Sequence, residues 1–194
     1  PSYAHVSLPW TKGLPKAYKS LWNEDFPFDK VYLLFENGDS AERVRYRYWR
    51  TVLHLITNSY FRSVRDWCNE NGVMFSGHLM MEDKLESQIR ATCFTMPCYK
   101  YFDMPGIDYL ETALDWQYGG IKPNGENNWY WRHYGIYNTP MQCVSAAHQA
   151  GKKRILCEMY GVTTENLNHR DQKHIFDHFS AFGINHRSVH GIFY

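Results

Sequence analysis

The chain has 194 residues, enough for one domain with a core of its own. Hydrophobic residues make up 44% and charged residues 21%, the balance of a globular chain and not of a disordered one. A net charge of +1 gives no electrostatic case for nucleic acid or an anionic membrane as partner, and no apolar run approaches the roughly 20 residues that span a bilayer.

Residues Pro1–Trp10 read as loop, and Thr11–Trp22 as a short helix with Leu14, Tyr18 and Leu21 on one face. Asn23–Asp39 reads as loop, since Pro27 and Gly38 crowd the strand-like Val31–Phe35. The strongest helix covers Ser40–Asn71. Ser40 is its expected N-cap, its apolar stripe is Val44, Tyr48, Val52, Leu55, Tyr60, Val64 and Trp67, and Asn71-Gly72 is its stop. Val73–Leu79 then reads as a buried strand and Glu82–Ala91 as a polar helix. Met104-Pro105-Gly106 breaks the chain before a short strand at Ile107–Leu110. Glu111–Asn138 reads as a long loop carrying Trp116, Trp129 and Trp131, and loops of that length are often functional. Thr139 and Pro140 start the next helix and Gly151 ends it. Lys153–Glu158 follows as a strand, Asn168 with Asp171 caps a helix that Gly183 closes, and Ile184–His190 is the last strand.

Helices alternating with strands predict a parallel sheet with helical crossovers. A closed eight-stranded barrel takes about 250 residues, and this chain offers about four strands. The expected fold is therefore α/β: part, roughly the second half, of a (β/α)8 TIM-type barrel, with residues 1–194 forming a single incomplete domain. A small open sheet of four strands is the rival.

Two of the strand-like runs lead into a glutamate. VMFSGHL runs on through Met80 and Met81 to Glu82, and RILC ends at Glu158. In a parallel barrel both C-terminal ends lie on one face, where catalytic groups collect. Two carboxyls facing one substrate suit glycoside hydrolysis, in which one protonates the leaving oxygen and the other activates water or attacks directly. The acid must keep its proton near neutral pH, so its surroundings must raise its pKa. Met80 and Met81 offer Glu82 an apolar wall, which favours Glu82 as acid and Glu158 as base. The alternatives are a solvated carboxylate at a helix N-terminus for Glu82 and an ion pair with an arginine for Glu158. The five cysteines are odd in number and scattered, and read as free thiols. Aromatic content is 17%, and rings in polar stretches suit the apolar faces of sugars.

The segments YWRTVLHLITNSYFRSVRDWCNENGVMFSGHLMMED, MPGIDYL, TPMQCVSAAHQAGKKRILCEMYG and DQKHIFDHFSAFGINHRSVHGIFY stand in that order. Together they resemble the catalytic barrel of bacterial glycosyl hydrolases similar to the α-L-rhamnosidases of glycoside hydrolase family 106. The sharpest parts are Gly77-His78 with Glu82, Pro105-Gly106-Ile107-Asp108, Glu158 with Gly161, and His190-Gly191. The resemblance implies an inverting glycosidase with two catalytic glutamates on the barrel rim, at positions matched by Glu82 and Glu158. It implies calcium in some members, a carbohydrate substrate, and a periplasmic or extracellular setting. It also implies a larger multidomain enzyme, which supplies the first barrel strands and accessory β-domains.

His78, Asp108, Trp129, Trp131, Tyr160 and His190 are the expected substrate-binding residues, with no protein metal ligand assigned. Asp108 is as well explained by a structural hydrogen bond, His190 by a satisfied core histidine, and the two tryptophans by loop packing. Two other functions compete: a non-catalytic carbohydrate-binding barrel, and a metal-dependent hydrolase that uses His78, Glu82 and His190.

Overall fold

The computed structural model describes residues 8–110, 129–161 and 167–190, with the side chains of 129–135 outside the description. The contacts group into two compact units, Pro1–Arg62 and Ser63–Tyr194, where the sequence reads as one domain over 1–194.

In the first unit, α1 (Leu14–Trp22) buries Leu14 and Tyr18 and ends on Asn23 in the left-handed conformation. Leu21, expected on the same face, is exposed. The segment expected to be loop contains a 3-10 helix, Phe28–Leu34, whose Leu33 packs with Ala41 and Val44. Arg45 holds this turn by donating to the carbonyls of Leu33 and Glu36. Helix α2 (Ala41–Ile56) buries Val44, Tyr48 and Val52 as its periodicity predicts. Ser40 does not act as a side-chain cap; it takes the left-handed conformation with φ 70°.

The long helical run is interrupted by a π-turn at Thr57–Phe61 before α3 (Arg62–Glu70). The local cause is three consecutive polar side chains. Thr57, Asn58 and Ser59 each donate to the carbonyl four residues back, on Leu53, His54 and Leu55. Those bonds compete with the main-chain ladder. A π-turn adds one residue to the helical turn, which moves the buried stripe by one position. Tyr60 and Trp67, expected inward, are 54% and 59% exposed, while Phe61 and Cys68 are buried in their place. The stop at Asn71-Gly72 forms as expected, with Gly72 left-handed and the Val73 amide donating to the Cys68 carbonyl.

The second unit is mixed α/β. It holds β1 (Ser76–Gly77), α4 (Leu85–Ala91), α5 (Met96–Tyr99), β2 (Met104–Tyr109), α6 (Trp129–Gln149), β3 (Leu156–Met159), α7 (His169–Ala181) and β4 (His186–Val189). The four strands form one sheet in the order β1-β2-β3-β4, every neighbouring pair parallel. This is the predicted parallel arrangement, with each strand beside the next in sequence.

Strand β2 begins earlier than predicted, because Met104-Pro105-Gly106 belongs to the strand instead of breaking it. Gly106 allows β2 and β3 to approach, since a Cβ there would lie 2.7 Å from Leu156 Cδ2 and 3.0 Å from the Gly77 carbonyl oxygen. Helix α6 starts eleven residues before Pro140, inside the stretch expected to be loop, and carries Pro140 in its interior. Residues 111–128 of that expected loop lie outside the described residues. An interior proline has no N–H for the carbonyl four residues back. Here that carbonyl belongs to Ile136, and His178 Nε2 on α7 donates to it at 2.9 Å. Asn168 caps α7 as predicted by accepting from the Asp171 amide at 3.0 Å.

Alternation along the strands divides the sheet into two faces. Ile107, Tyr109, Cys157 and Met159 are buried on one, where the Tyr109 ring lies 4.9 Å from that of Phe179 on α7. Asp108 and Glu158 occupy the alternate positions, directly paired in register, and are only partly buried.

Candidate functional site

Glu158 is the third residue of β3. Its neighbours Cys157 and Met159 anchor the strand through fully buried side chains, which leaves Glu158 on the other face beside Asp108. His190 directly follows β4, its amide bonded to the Met159 carbonyl at 2.9 Å. His78 directly follows β1. Strand ends thus bring together residues far apart in sequence.

The Glu158 carboxylate is held at both oxygens. His190 Nδ1 lies 2.9 Å from Oε1, and His78 Nε2 lies 3.1 Å from Oε2. The His190 hydrogen bond first, and then the charge and hydrogen bond of His78, hold the carboxyl below its ordinary range despite partial burial. The arginine partner considered for Glu158 does not occur among the described residues; the partners are histidines.

Glu82 has the opposite environment. It lies before α4 and is 4% exposed, so it is not a solvated carboxylate at a helix N-terminus. Its Oε1 accepts from the Leu79 amide at 2.7 Å and from the Tyr99 hydroxyl at 3.0 Å, while Oε2 has no protein partner. Gln88, itself buried, fixes the local backbone by donating to the Glu82 carbonyl at 2.7 Å. Burial pushes the Glu82 carboxyl up to about 8 against the pull of the Leu79 amide, with the nearby charge of Asp108 adding to the rise. At neutral pH it holds a proton, and Oε2 is the oxygen free to carry it.

The expected apolar wall is not the source of this effect. Met80 and Met81 are 59% and 44% exposed. The water-free surroundings come instead from fully buried side chains such as Tyr99.

Asp108 is half-buried, and its carboxyl is raised by burial and by Glu158, with His78 opposing. One atom each of His78, Glu82 and Asp108 lies within 4.8 Å of the others, so Glu82 and Glu158 flank the same imidazole. Five predicted site residues therefore converge: His78, Glu82, Asp108, Glu158 and His190. Tyr160 stands apart from them, because its ring is buried and its hydroxyl donates to the Gln172 carbonyl of α7 at 2.8 Å. The side chains of Trp129 and Trp131 lie outside the described residues. Tyr99 and the Leu79 amide, which grip Glu82, went unnoticed in the sequence. Only the short, aromatic segment around Tyr99 hints at a buried role.

The His78–Glu82–Asp108 cluster has the residue types of a cation site, and the family resemblance implies calcium. Calcium takes about six to eight oxygen ligands. This cluster offers two carboxyls and an imidazole whose nitrogens both already face protein oxygens, at 2.7 and 3.1 Å. A ring bonded in that way has no lone pair to give. The described donors do not suit calcium, and no step below runs through a metal. All five cysteines are buried free thiols, as expected.

No protein-family model matches the chain, and a search of curated proteins finds no match.

Proposed function

We propose that this chain is part of the catalytic barrel of a glycoside hydrolase, similar to the α-L-rhamnosidases. In this reading the parallel sheet is roughly the second half of a (β/α)8 TIM-type barrel. Glu82 is the general acid, and Glu158 is the base that activates water for an inverting displacement. The observation that carries the reading is the divergence of the two carboxyls: burial lifts Glu82 to about 8, while two histidines hold Glu158 ionised. Pairs of carboxyls with environments that diverge in this way are how one site runs acid and base chemistry at one pH. Asp108 and His190 stand beside the pair with polar atoms fit for sugar hydroxyls.

The chemistry needs no cofactor. With substrate admitted to the buried carboxyl, the Glu82 proton passes to the glycosidic oxygen as the bond to the anomeric carbon breaks. Glu158 takes a proton from the water that attacks the opposite face.

The test compares, in the full-length enzyme, the wild type with Glu82→Gln and Glu158→Gln on aryl α-L-rhamnosides carrying poor and good leaving groups. Each variant is expected to lose at least about 10²-fold in turnover with KM little changed. The good leaving group is expected to restore part of the Glu82→Gln rate and none of the Glu158→Gln rate. Near-normal turnover in both variants, or sugar binding without turnover in the wild type, overturns the reading.

A further inference from the structure

Both ring nitrogens of His78 face oxygens. Nδ1 lies 2.7 Å from the Leu79 carbonyl oxygen, which only accepts, so Nδ1 carries a proton. Nε2 lies 3.1 Å from Glu158 Oε2. The other oxygen of Glu158 lies 2.9 Å from His190 Nδ1, and that hydrogen bond favours the ionised carboxylate. An ionised carboxylate accepts only, so Nε2 carries a proton too, and the ring is an imidazolium.

The groups around the ring agree with this assignment. Glu82 faces it from the β1–α4 segment, Asp108 from β2 with Oδ2 3.9 Å from Nδ1, and Glu158 from β3; Asp83 in turn bears on Asp108. Desolvation opposes the charge, while the Leu79 carbonyl and the charges of Asp108 and Glu158 favour it, and the net direction is upward. With Glu82 protonated, this arrangement sets one cation against the paired charges of Asp108 and Glu158. Without that cation, two carboxylates on adjacent strands, in direct register, have to share the same side of the sheet.

We propose that His78 is the fixed cation of the site, a doubly hydrogen-bonded imidazolium that positions Glu158 and holds it ionised. The positioning role rests on the reading of Glu158 as base; the charge state does not. His78 acts through Glu158 and is not itself the acid or the base. His190 reaches the same carboxylate, but its side chain is 45% exposed, so water can replace much of its contribution.

Two measurements separate the claims. The first uses the wild-type chain labelled with 15N-histidine and reads the ring nitrogens of His78 by NMR from pH 5 to 9. Both are expected to stay protonated at pH 7, beyond the ordinary histidine midpoint of about 6.5. A neutral single tautomer at pH 7 overturns the proposal even in a chain with no measurable turnover. The second compares kcat/KM against pH for the wild type, His78→Asn, His78→Gln and His190→Asn. Loss of the cation raises the proton affinity of Glu158, so both His78 variants are expected to lose activity more steeply in acid. Their deficit at pH 5 is expected to exceed that at pH 7.5 by about tenfold. His190→Asn is expected to shift less. A uniform drop at all pH values in the His78 variants overturns the positioning role, because a merely structural residue lowers the curve without moving its acid limb. If the wild type has no turnover, the function proposed above fails while the NMR result stands on its own.

Discussion

A buried carboxyl that keeps its proton makes folding stability depend on pH in an unusual direction. In the native state Glu82 titrates near 8, against an ordinary 4.5. Between those values the native protein holds a proton that the unfolded chain releases. Stability is therefore fully present below about 4.5, falls as pH rises, and levels off above about 8. Each pH step across the window costs about 1.4 kcal/mol, so the full span comes to about 5 kcal/mol. A depressed carboxyl such as Glu158 works the other way, adding stability as pH rises through its own lower range. His78, with its raised pKa, contributes stability that is present at low pH and lost as pH rises through its folded value. The wild-type curve mixes all three, and Glu82→Gln removes only the first. Urea unfolding of both proteins, followed by tryptophan fluorescence at pH 4.5, 6, 7 and 8, isolates the effect as a difference. Glutamine leaves a buried amide at Oε2, a penalty that does not vary with pH. Relative to the wild type, Glu82→Gln is expected to gain about 5 kcal/mol between pH 4.5 and 8. Parallel curves, with a difference constant to within about 1 kcal/mol, refute a protonated Glu82 and with it the acid assignment.

Two further outcomes follow from packing. Gly106→Ala places a Cβ 2.7 Å from Leu156 Cδ2 and 3.0 Å from the Gly77 carbonyl oxygen, so thermal or urea unfolding is expected to register a loss of about 2 kcal/mol or more. His178→Phe keeps a ring among Tyr137, Phe179 and Phe182 but orphans the Ile136 carbonyl, at an expected cost of about 1–3 kcal/mol. Most of that cost is expected to vanish in a Pro140→Ala background, where residue 140 supplies its own N–H; an equal cost in both backgrounds means that the two residues are uncoupled.

The parallel sheet was legible because its signal is local and repeated. Short apolar runs such as RILC, separated by helices with recognisable ends, leave little choice of connection. The errors have specific physical sources. The helical stripe through Tyr60 and Trp67 assumed 3.6 residues per turn throughout, and the Thr57-Asn58-Ser59 triplet broke that phase. The triplet itself was visible, a run of side chains able to bond back to the helix. Pro140 read as a helix start because proline is common there, whereas here a histidine 38 positions away satisfies the carbonyl it frees. No local pattern announces such a partner. Val31–Phe35 has strand composition, yet Phe28–Leu34 forms a 3-10 helix, since Leu33 packs against Ala41 and Val44 and no strand lies beside it among the described residues of its unit.

The site shows the same limit more sharply. That Glu82 and Glu158 end strand-like runs is a statement about sequence, and the structure brings both to the same imidazole. Their protonation states are not statements about sequence. Met80 and Met81, the sequence neighbours that favour Glu82 as acid, face solvent. The proton is retained because the carboxyl is buried: burial outweighs the Leu79 amide and the Tyr99 hydroxyl, whose bonds to Oε1 favour the ionised form, and Oε2 has no protein partner. A carboxylate there would hold its charge away from water with one oxygen unsolvated, which favours the neutral acid. Glu158 meets the converse condition, a donor at each oxygen, from residues 80 positions before it and 32 after. The two carboxyls have two partners each, and they differ in burial and in whether those partners reach one oxygen or both, which for Glu158 follows from the strand ends that bring His78 and His190 to it.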